Sequence, residues 1–442
     1  MGSTHSFINL VGQYCFIMNI AFVSDQYWPS LSGVSVSIDA FSKELIKMGH
    51  HVFLFAPEYP DSAKADSQWV GTNIFRFRSY EISFNKENRL VYRRDWKKVV
   101  KVLDSVKPDI IHVQTEFTLG RIATRYAKEM KIPLVLTAHT NWEELIALYV
   151  PFLPRGIARF YCRYRMRKRC NKADIVIVFT SLMEVLLNLY LIRTPIRIIP
   201  TGIIKSDFDN DNESGWKADI YRTYPQLMNK KIMLYAGRLG MEKNISFLMD
   251  ILKMLLRNDN NIMLVIAGNG PAYDELHKYS QKTGVAESVL FIGFIERKQL
   301  KNYYVLSDVF VFASKVESQG LVTLESMICG TPVVAIGKMG TREVMGGDNG
   351  GFMVDDDLES FAEKTALLLN NPEIHKIKAK EALQHAQKWT SDKYAEKLIK
   401  LYESLIYEKQ SKTSSIVNQN IRQAPLTEQT EKVAFQEKQS LA

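Results

Sequence analysis

Short apolar runs alternate with amphipathic stretches along most of this chain. Asn19-Ile20-Ala21-Phe22-Val23-Ser24 is apolar at successive positions, the pattern of a parallel strand covered on both faces. A helix pattern follows Gly33 and ends near Lys47-Met48-Gly49-His50, and His51-Val52-Phe53-Leu54-Phe55-Ala56 reads as the next strand. Further strands are expected at Asp109–Val113, Pro133–Thr137, Asp174–Val178 and Ile196–Pro200. A polar stretch interrupts the pattern from about Asp207 to Lys230. A second series then opens at Lys231–Gly237 and continues through Ile262–Gly268 and Val289–Gly293. Strands alternating with helices imply parallel, doubly wound sheets, and two such series imply two Rossmann-like domains facing each other across a cleft.

At 442 residues the chain exceeds one ordinary core. The expected organisation is an N-terminal extension at 1–17, a first domain at 18–205, a linker at 206–230, a second domain at 231–390, a helix crossing back at 391–408 and a disordered tail at 409–442. The tail is rich in Gln, Ser, Thr, Lys and Glu, a composition that buries little apolar surface. Met1-Gly2-Ser3-Thr4-His5-Ser6 fits a myristoylation pattern, but so short a pattern arises by chance. An extended or misassigned start is the simpler reading, because Met18 opens the first strand.

Charge narrows the partners. The chain carries +9, and residues 18–205 alone carry 28 Lys and Arg against 17 Asp and Glu, a net +11, leaving the rest at −2. A basic first half beside a near-neutral second half points to an anionic surface. No run of about 18 uncharged apolar residues occurs, so no transmembrane helix is expected. Cys15, Cys162, Cys170 and Cys329 form no C-x-x-C pair and no cluster with histidine, which reads as reduced thiols.

Candidate chemistry gathers after strands. The run Val309–Ser314 precedes Glu317-Ser318-Gln319-Gly320-Leu321-Val322-Thr323-Leu324-Glu325, and Gly330-Thr331-Pro332 closes a short helix before the strand Val333–Ile336. Glu317 therefore lies on a strand-to-helix loop and Glu325 within the helix. The Gly320 and Leu321 amides lie near the helix start, where unpaired N–H groups favour an anion. Arg238 and Lys243 leave one loop, Gly237-Arg238-Leu239-Gly240-Met241-Glu242-Lys243-Asn244, five residues apart, within reach of one diphosphate. Gly268 and Gly270 flank Asn269 in a turn where the backbone bends sharply or meets a ligand. No G-x-G-x-x-G follows the first strand of either domain, which counts against a nicotinamide enzyme. No D-x-D motif is evident, so the sequence requires no cofactor or catalytic metal; a divalent ion would at most be stimulatory.

Glutamates with this spacing, in this strand–loop–helix setting, resemble the E-x7-E signature of retaining, nucleotide-sugar-dependent glycosyltransferases of the two-domain GT-B type, the family numbered four. The resemblance covers roughly residues 18–405. It implies that Arg238 and Lys243 bind the donor diphosphate, that Glu317 holds the hexose and that Glu325 holds the ribose. The segment around Gly268 would border the nucleotide, where family members often have Asp in place of Asn269. Gly33 would let a backbone amide meet the donor phosphates, although members often carry two glycines where this chain has Ser32-Gly33. The Thr137-Ala138-His139-Thr140 pattern places His139 at the cleft as a holder of the hexose. Gln319, where Phe is commoner, and the block His112-Val113-Gln114-Thr115-Glu116-Phe117-Thr118-Leu119-Gly120 resemble bacterial enzymes that glycosylate 1,2-diacylglycerol.

A membrane-facing acceptor side has its own support in the residues. Arg155, Arg159, Arg163 and Arg167 recur every four residues, Arg165, Lys168 and Arg169 thicken the stripe, and Ile157, Phe160, Tyr161 and Tyr164 provide an adjacent apolar and aromatic face. Upstream, Leu145–Pro154, with Tyr149 and Phe152, is very apolar for a loop. This composition suits a helix lying in an anionic bilayer surface, whereas nucleic acid would not explain the apolar loop. The expectation is a peripheral enzyme at the cytoplasmic face of the cell membrane. It would move glucose or galactose from a UDP-sugar to diacylglycerol. Phosphatidylinositol, lipopolysaccharide or other sugar acceptors, and a non-catalytic membrane-binding protein on the same scaffold, are the alternatives.

Overall fold

The computed structural model describes residues 6–8, 14–30, 32–66, 71, 73–82, 85–141, 143, 154–209 and 215–423. The apolar segment 145–153, with Tyr149 and Phe152, lies outside the described residues, as do most of the 1–17 extension, the Arg155 side chain and the end of the tail.

Seven parallel strands form the first sheet: β1 (Asn19–Val23), β2 (His51–Pro57), β3 (Asn73–Phe77), β4 (Ile110–Val113), β5 (Leu134–Thr137), β6 (Ile175–Val178) and β7 (Ile196–Ile198). Their spatial order is β7-β6-β5-β4-β1-β2-β3. Six parallel strands form the second: β8 (Lys231–Ala236), β9 (Ile262–Ala267), β10 (Val289–Gly293), β11 (Val309–Phe312), β12 (Val333–Ile336) and β13 (Gly351–Val354), in the order β10-β9-β8-β11-β12-β13. Nearly every residue of the central strands is buried, as continuous apolar runs require. Each sheet reverses its winding once, beside β1 and beside β8, and the crevice beyond the strand ends at such a point is where ligands bind in this architecture.

Right-handed crossovers decide which helices share a face. From β4 to β7 the strand order runs one way, so α2 (Thr118–Glu129), α3 (Arg155–Cys170) and α4 (Ser181–Leu189) cover one side of the first sheet. From β1 to β2 it runs the other way, so α1 (Gly33–Lys47) covers the opposite side. That side is completed by the final helix α5 (Ser391–Gln423), which returns from the second domain. Ala395, Leu398, Tyr402 and Leu405 recur at helical spacing and pack with Val34, Ile38, Phe41 and Leu45 of α1 in one core. The structure continues this helix to Gln423, where the sequence placed its end at residue 408. The described residues of the 206–230 stretch belong to the second domain. They include the helix Trp216–Thr223, and Phe208, Ile220 and Leu227 are buried in the core of that domain.

The two chain crossings between domains lie side by side. The Ile203 N–H donates to Trp389 O (2.7 Å), and the Ser391 N–H donates to Ile203 O (2.9 Å). Gly202 permits this approach, since a Cβ there would sit 2.4 Å from the Ser391 backbone.

Candidate active site

The second domain contributes most of the site from loops at the ends of β8, β9 and β11. The loop after β8 closes in a 3-10 turn, Met241–Lys243, and its neighbour after β9 laces onto it: the Leu239 N–H donates to Asn269 O (3.0 Å), and the Ala272 N–H donates to Leu239 O (3.0 Å). Gly268 is required here, because at φ +144° a Cβ would lie 1.9 Å from Gly237 O. Arg238 pairs with the buried carboxylate of Glu242, and Lys243 reaches across to Glu317. The loop after β11 thus brings its first glutamate against the lysine from the loop after β8. The two predicted groups meet although 74 positions separate them in the chain.

Gly320 caps the helix α6 (Leu321–Ile328) in the left-handed region at φ +82°, and a Cβ there would press on Thr341 Oγ1 at 3.1 Å. The N–H groups of the first turn, which begins at Leu321, have no carbonyl partner within the helix, and an anion is favoured there. A second short helix, α7 (Met339–Met345), supports the loop: the Gly340 N–H donates to Glu317 O at 2.9 Å.

Glu325 sits deeper than the sequence suggested. It is 5% exposed, with Arg297 2.9 Å from Oε1 and the Tyr304 hydroxyl donating to Oε2 at 3.1 Å. Burial raises its pKa, against the lowering by Arg297 and the Tyr304 hydrogen bond. A carboxylate oxygen can accept two hydrogen bonds, and Arg297 and the Tyr304 hydroxyl supply one partner to each. Arg297 also stacks on the Phe208 ring (5.3 Å) and lies 3.9 Å from Asp207, whose other oxygen takes Lys43 of α1 at 3.4 Å. Sequence reasoning missed Arg297 and Glu242. Glu242 had a faint signal in its i,i+4 spacing from Arg238; Arg297 had none, since its partners are far away in the chain.

The first domain places His139 just beyond β5. Its Nε2 lies 2.7 Å from Gln114 Oε1, and Phe179 packs edge-on at 5.0 Å. Burial pushes its pKa down to about 3, so the ring is neutral. Gly33 begins α1 behind the cap Ser32, whose hydroxyl accepts from the Ser35 N–H (3.3 Å), and a Cβ at Gly33 would meet nothing within 4 Å. The two domains meet at Gln319: its Oε1 accepts from the Thr201 N–H (2.9 Å), and its Nε2 donates to Thr201 O (2.6 Å). Glu343 of α7 adds a second tie, accepting from the Ser181 N–H (2.7 Å) and hydroxyl (2.8 Å) at the start of α4.

The block His112–Gly120 has a structural task. Asp25, fully buried, accepts from the N–H groups of Phe117 (3.0 Å) and Leu119 (2.7 Å) and from the Thr115 (3.0 Å) and Thr118 (2.9 Å) hydroxyls, closing the start of α2. His112 is held between the Tyr402 hydroxyl and the Thr137 hydroxyl, each at 2.6 Å.

On α3, Arg159 (2.8 Å) and Arg163 (3.1 Å) both converge on Glu143, which also accepts from the Tyr190 hydroxyl at 2.8 Å. Arg167 lies one turn further along the same edge and is exposed. The residues pointing straight out are Ile157, Phe160, Tyr161 and Tyr164, opposite buried Ala158, Cys162, Met166 and Cys170. Among the described residues no helix is long and apolar enough to cross a membrane, and no group of three His, Cys, Asp or Glu side chains gathers to hold a metal ion.

Two facing parallel-sheet domains, joined by two crossings and a returning helix, define the GT-B class of glycosyltransferase. The Glycosyltransferase Family 4 profile matches residues 31–206, and the profile described as Glycosyl transferases group 1 matches residues 219–389. This chain belongs to glycosyltransferase family 4. It is 33% identical over 323 residues to an alpha-monoglucosyldiacylglycerol synthase of Streptococcus pneumoniae, covering 72% of this chain and 71% of the relative. A protein of the same name from Acholeplasma laidlawii is 25% identical, covering 88% of this chain and 98% of the relative. A GDP-mannose-dependent phosphatidylinositol dimannoside mannosyltransferase of Mycobacterium tuberculosis is also 25% identical, over 81% of this chain and 90% of its own. Among solved structures, Anabaena HepE in complex with UDP and glucose superposes with a TM-score of 0.71 at 18% identity, covering 88% of this chain and all of that one.

Proposed function

We propose that this protein is a retaining hexosyltransferase that moves glucose or galactose from a UDP-sugar to the free hydroxyl of 1,2-diacylglycerol, bound peripherally at the cytoplasmic face of a membrane. The observation that carries the reading is the meeting of Lys243 with Glu317, which sets a cation and a hydroxyl acceptor side by side at the strand ends. In this reading Lys243, Arg238 and the Gly320 and Leu321 amides take the diphosphate, Glu317 and neutral His139 hold the hexose, Gly268 borders the nucleotide, Glu325 offers its free acceptor positions to the ribose, and Gly33 lets the first domain approach the phosphates. The bond from the sugar carbon to UDP breaks as the bond to the acceptor oxygen forms on the same face, and the departing phosphate takes the acceptor proton. Cations and amides fixed where negative charge grows supply the largest stabilisation. Support for the acceptor comes from the names of the Streptococcus and Acholeplasma relatives, and support for UDP from the ligand of the Anabaena neighbour.

The test offers the enzyme UDP-glucose, UDP-galactose and GDP-mannose together, with diacylglycerol and phosphatidylinositol in mixed vesicles. Mass spectrometry of the lipids, followed by determination of the anomeric configuration, reads the outcome. An α-monohexosyldiacylglycerol is expected. A mannosylated phosphatidylinositol would replace this reading with a phosphatidylinositol mannosyltransferase, and absence of both transfer and donor hydrolysis would leave a non-catalytic membrane protein.

A further inference from the structure

The outward surface of α4 is apolar, and neither the fold nor the donor site uses it. Leu182, Val185 and Leu189 recur three and four residues apart, opposite Met183, Leu187 and Tyr190, which are buried against α3. Leu189 is 69% exposed, and Leu191, at 67%, follows in a left-handed backbone conformation (φ +60°) that leucine seldom adopts. Both α3 and α4 lie on the same side of the sheet, and each turns its inner face to one shared core. Their outer faces therefore form a single surface. That surface carries the Leu182–Leu189 stripe on one helix and Ile157, Phe160, Tyr161 and Tyr164 on the other, of which Phe160 is 73% exposed.

We propose that α3 and α4 together form one lipid-facing plate, whose apolar α4 stripe enters the bilayer beside the aromatic face of α3. The inference rests on the diacylglycerol reading for its purpose but on the α3–α4 packing for its geometry. Three observations select an anionic bilayer as the occupant. Seven large apolar side chains exposed on one surface exceed what a soluble face carries singly. Arg167, Lys168, Lys172 and Arg193 are exposed around them, while Glu143 is engaged by two arginines and Glu184 is half-buried and off the stripe. An isologous contact with a second copy would set these cations against their own equivalents, which a phosphate-bearing surface would not. α4 also starts just beyond the carboxyl end of its strand, after Phe179, which packs on His139, so a plate lying on the membrane borders the cleft that must receive the lipid hydroxyl.

The test replaces Leu182, Val185 and Leu189 with Ser in the full chain. Flotation with vesicles of phosphatidylcholine and phosphatidylglycerol, at 0.1 M and 0.5 M salt, measures partitioning. Salt weakens the contribution of the cations but not of the apolar stripe. Wild type is expected to keep part of its binding at the higher salt, and the triple variant to lose it, with partitioning at least ~tenfold lower. Thermal protection by UDP-sugar should stay as in wild type, showing that the variant is folded. Transfer to dispersed dioctanoylglycerol should also stay, because that acceptor needs no docking. Equal partitioning of variant and wild type would overturn the plate. So would a change from dimer to monomer in sedimentation velocity, which would assign the stripe to a second copy. Wild type unable to glycosylate dioctanoylglycerol would refute the proposed reaction, while the flotation result would still decide the plate.

Discussion

At the scale of single residues, the donor site depends on partners from different loops. Lys243 and Glu317 pair in the structure, so under the proposed roles removing either charge would disturb both diphosphate and hexose holding. Glu317→Gln and Lys243→Ala are each expected to lower transfer by about 10²–10³ at saturating donor while leaving the melting transition near wild type. Initial-rate measurements check this, and near-normal turnover in either variant would remove that residue from the site. Gln319 makes a different prediction. Its amide satisfies both the N–H and the C=O of Thr201, which is 1% exposed. Gln319→Leu leaves two buried backbone groups unpaired, at ~1–3 kcal/mol each. Denaturant unfolding should show that loss, with faster amide exchange at Thr201; an unchanged midpoint would mean that water or another group replaces the amide. Glu317, Lys243, Arg238 and His139 could be singled out in the sequence because each follows an apolar strand in a motif that resembles the family's. Arg297 was not, because its role comes from Glu325, Asp207 and Phe208, which only the fold brings to it.

At the scale of elements, the final helix was readable from its apolar spacing, but its anchor was not. Tyr402 bonds to His112 inside the first domain, 290 positions away in the chain. Tyr402→Phe should cost about 1–3 kcal/mol, because a buried ring nitrogen loses its partner. His112 adds a pH dependence. Burial holds its pKa well below the ordinary value, so the folded form stays neutral while the unfolded chain protonates near pH 6.5. The unfolded state then binds more protons, and stability falls as pH drops below ~6.5, by up to ~1.4 kcal/mol per pH unit. Asp39 acts in the opposite sense. Burial lifts its carboxyl to about 7, so the folded state gives up stability as pH rises from ~3.8 towards that value. Urea unfolding of wild type and His112→Gln at pH 7 and pH 5 separates the two, since Asp39 is common to both. Wild type should lose up to ~2 kcal/mol more than the variant on acidification. Parallel losses would mean that His112 titrates normally.

At the scale of the whole molecule, the site is divided between two bodies joined by two crossings. Gly33 and His139 belong to the first domain, while Arg238, Lys243 and Glu317 belong to the second. A donor that touches both should draw them together and exclude water. Small-angle scattering is expected to show a smaller radius of gyration with UDP-sugar than without. Identical profiles would mean that the contacts already present, Gln319 to Thr201 and Glu343 to Ser181, hold the closed state unaided.

The sequence by itself determined the architecture and the placement of the donor loops. Continuous apolar runs bounded by glycine and proline can bury both faces only as parallel strands, and loops at strand ends follow from that. It did not determine how charges would pair. The Arg155–Arg167 repeat read as one row of free cations, yet the fold turns Arg159 and Arg163 towards Glu143 and leaves the aromatic residues pointing outward. The stripe on α4 carries the same lesson. Leu182, Val185 and Leu189 share one face of α4, and the position of the sheet, on the opposite side of the helix, leaves them in contact with solvent. Helical spacing tells which residues share a face, but which face is buried depends on neighbours that the chain reaches only after it has folded.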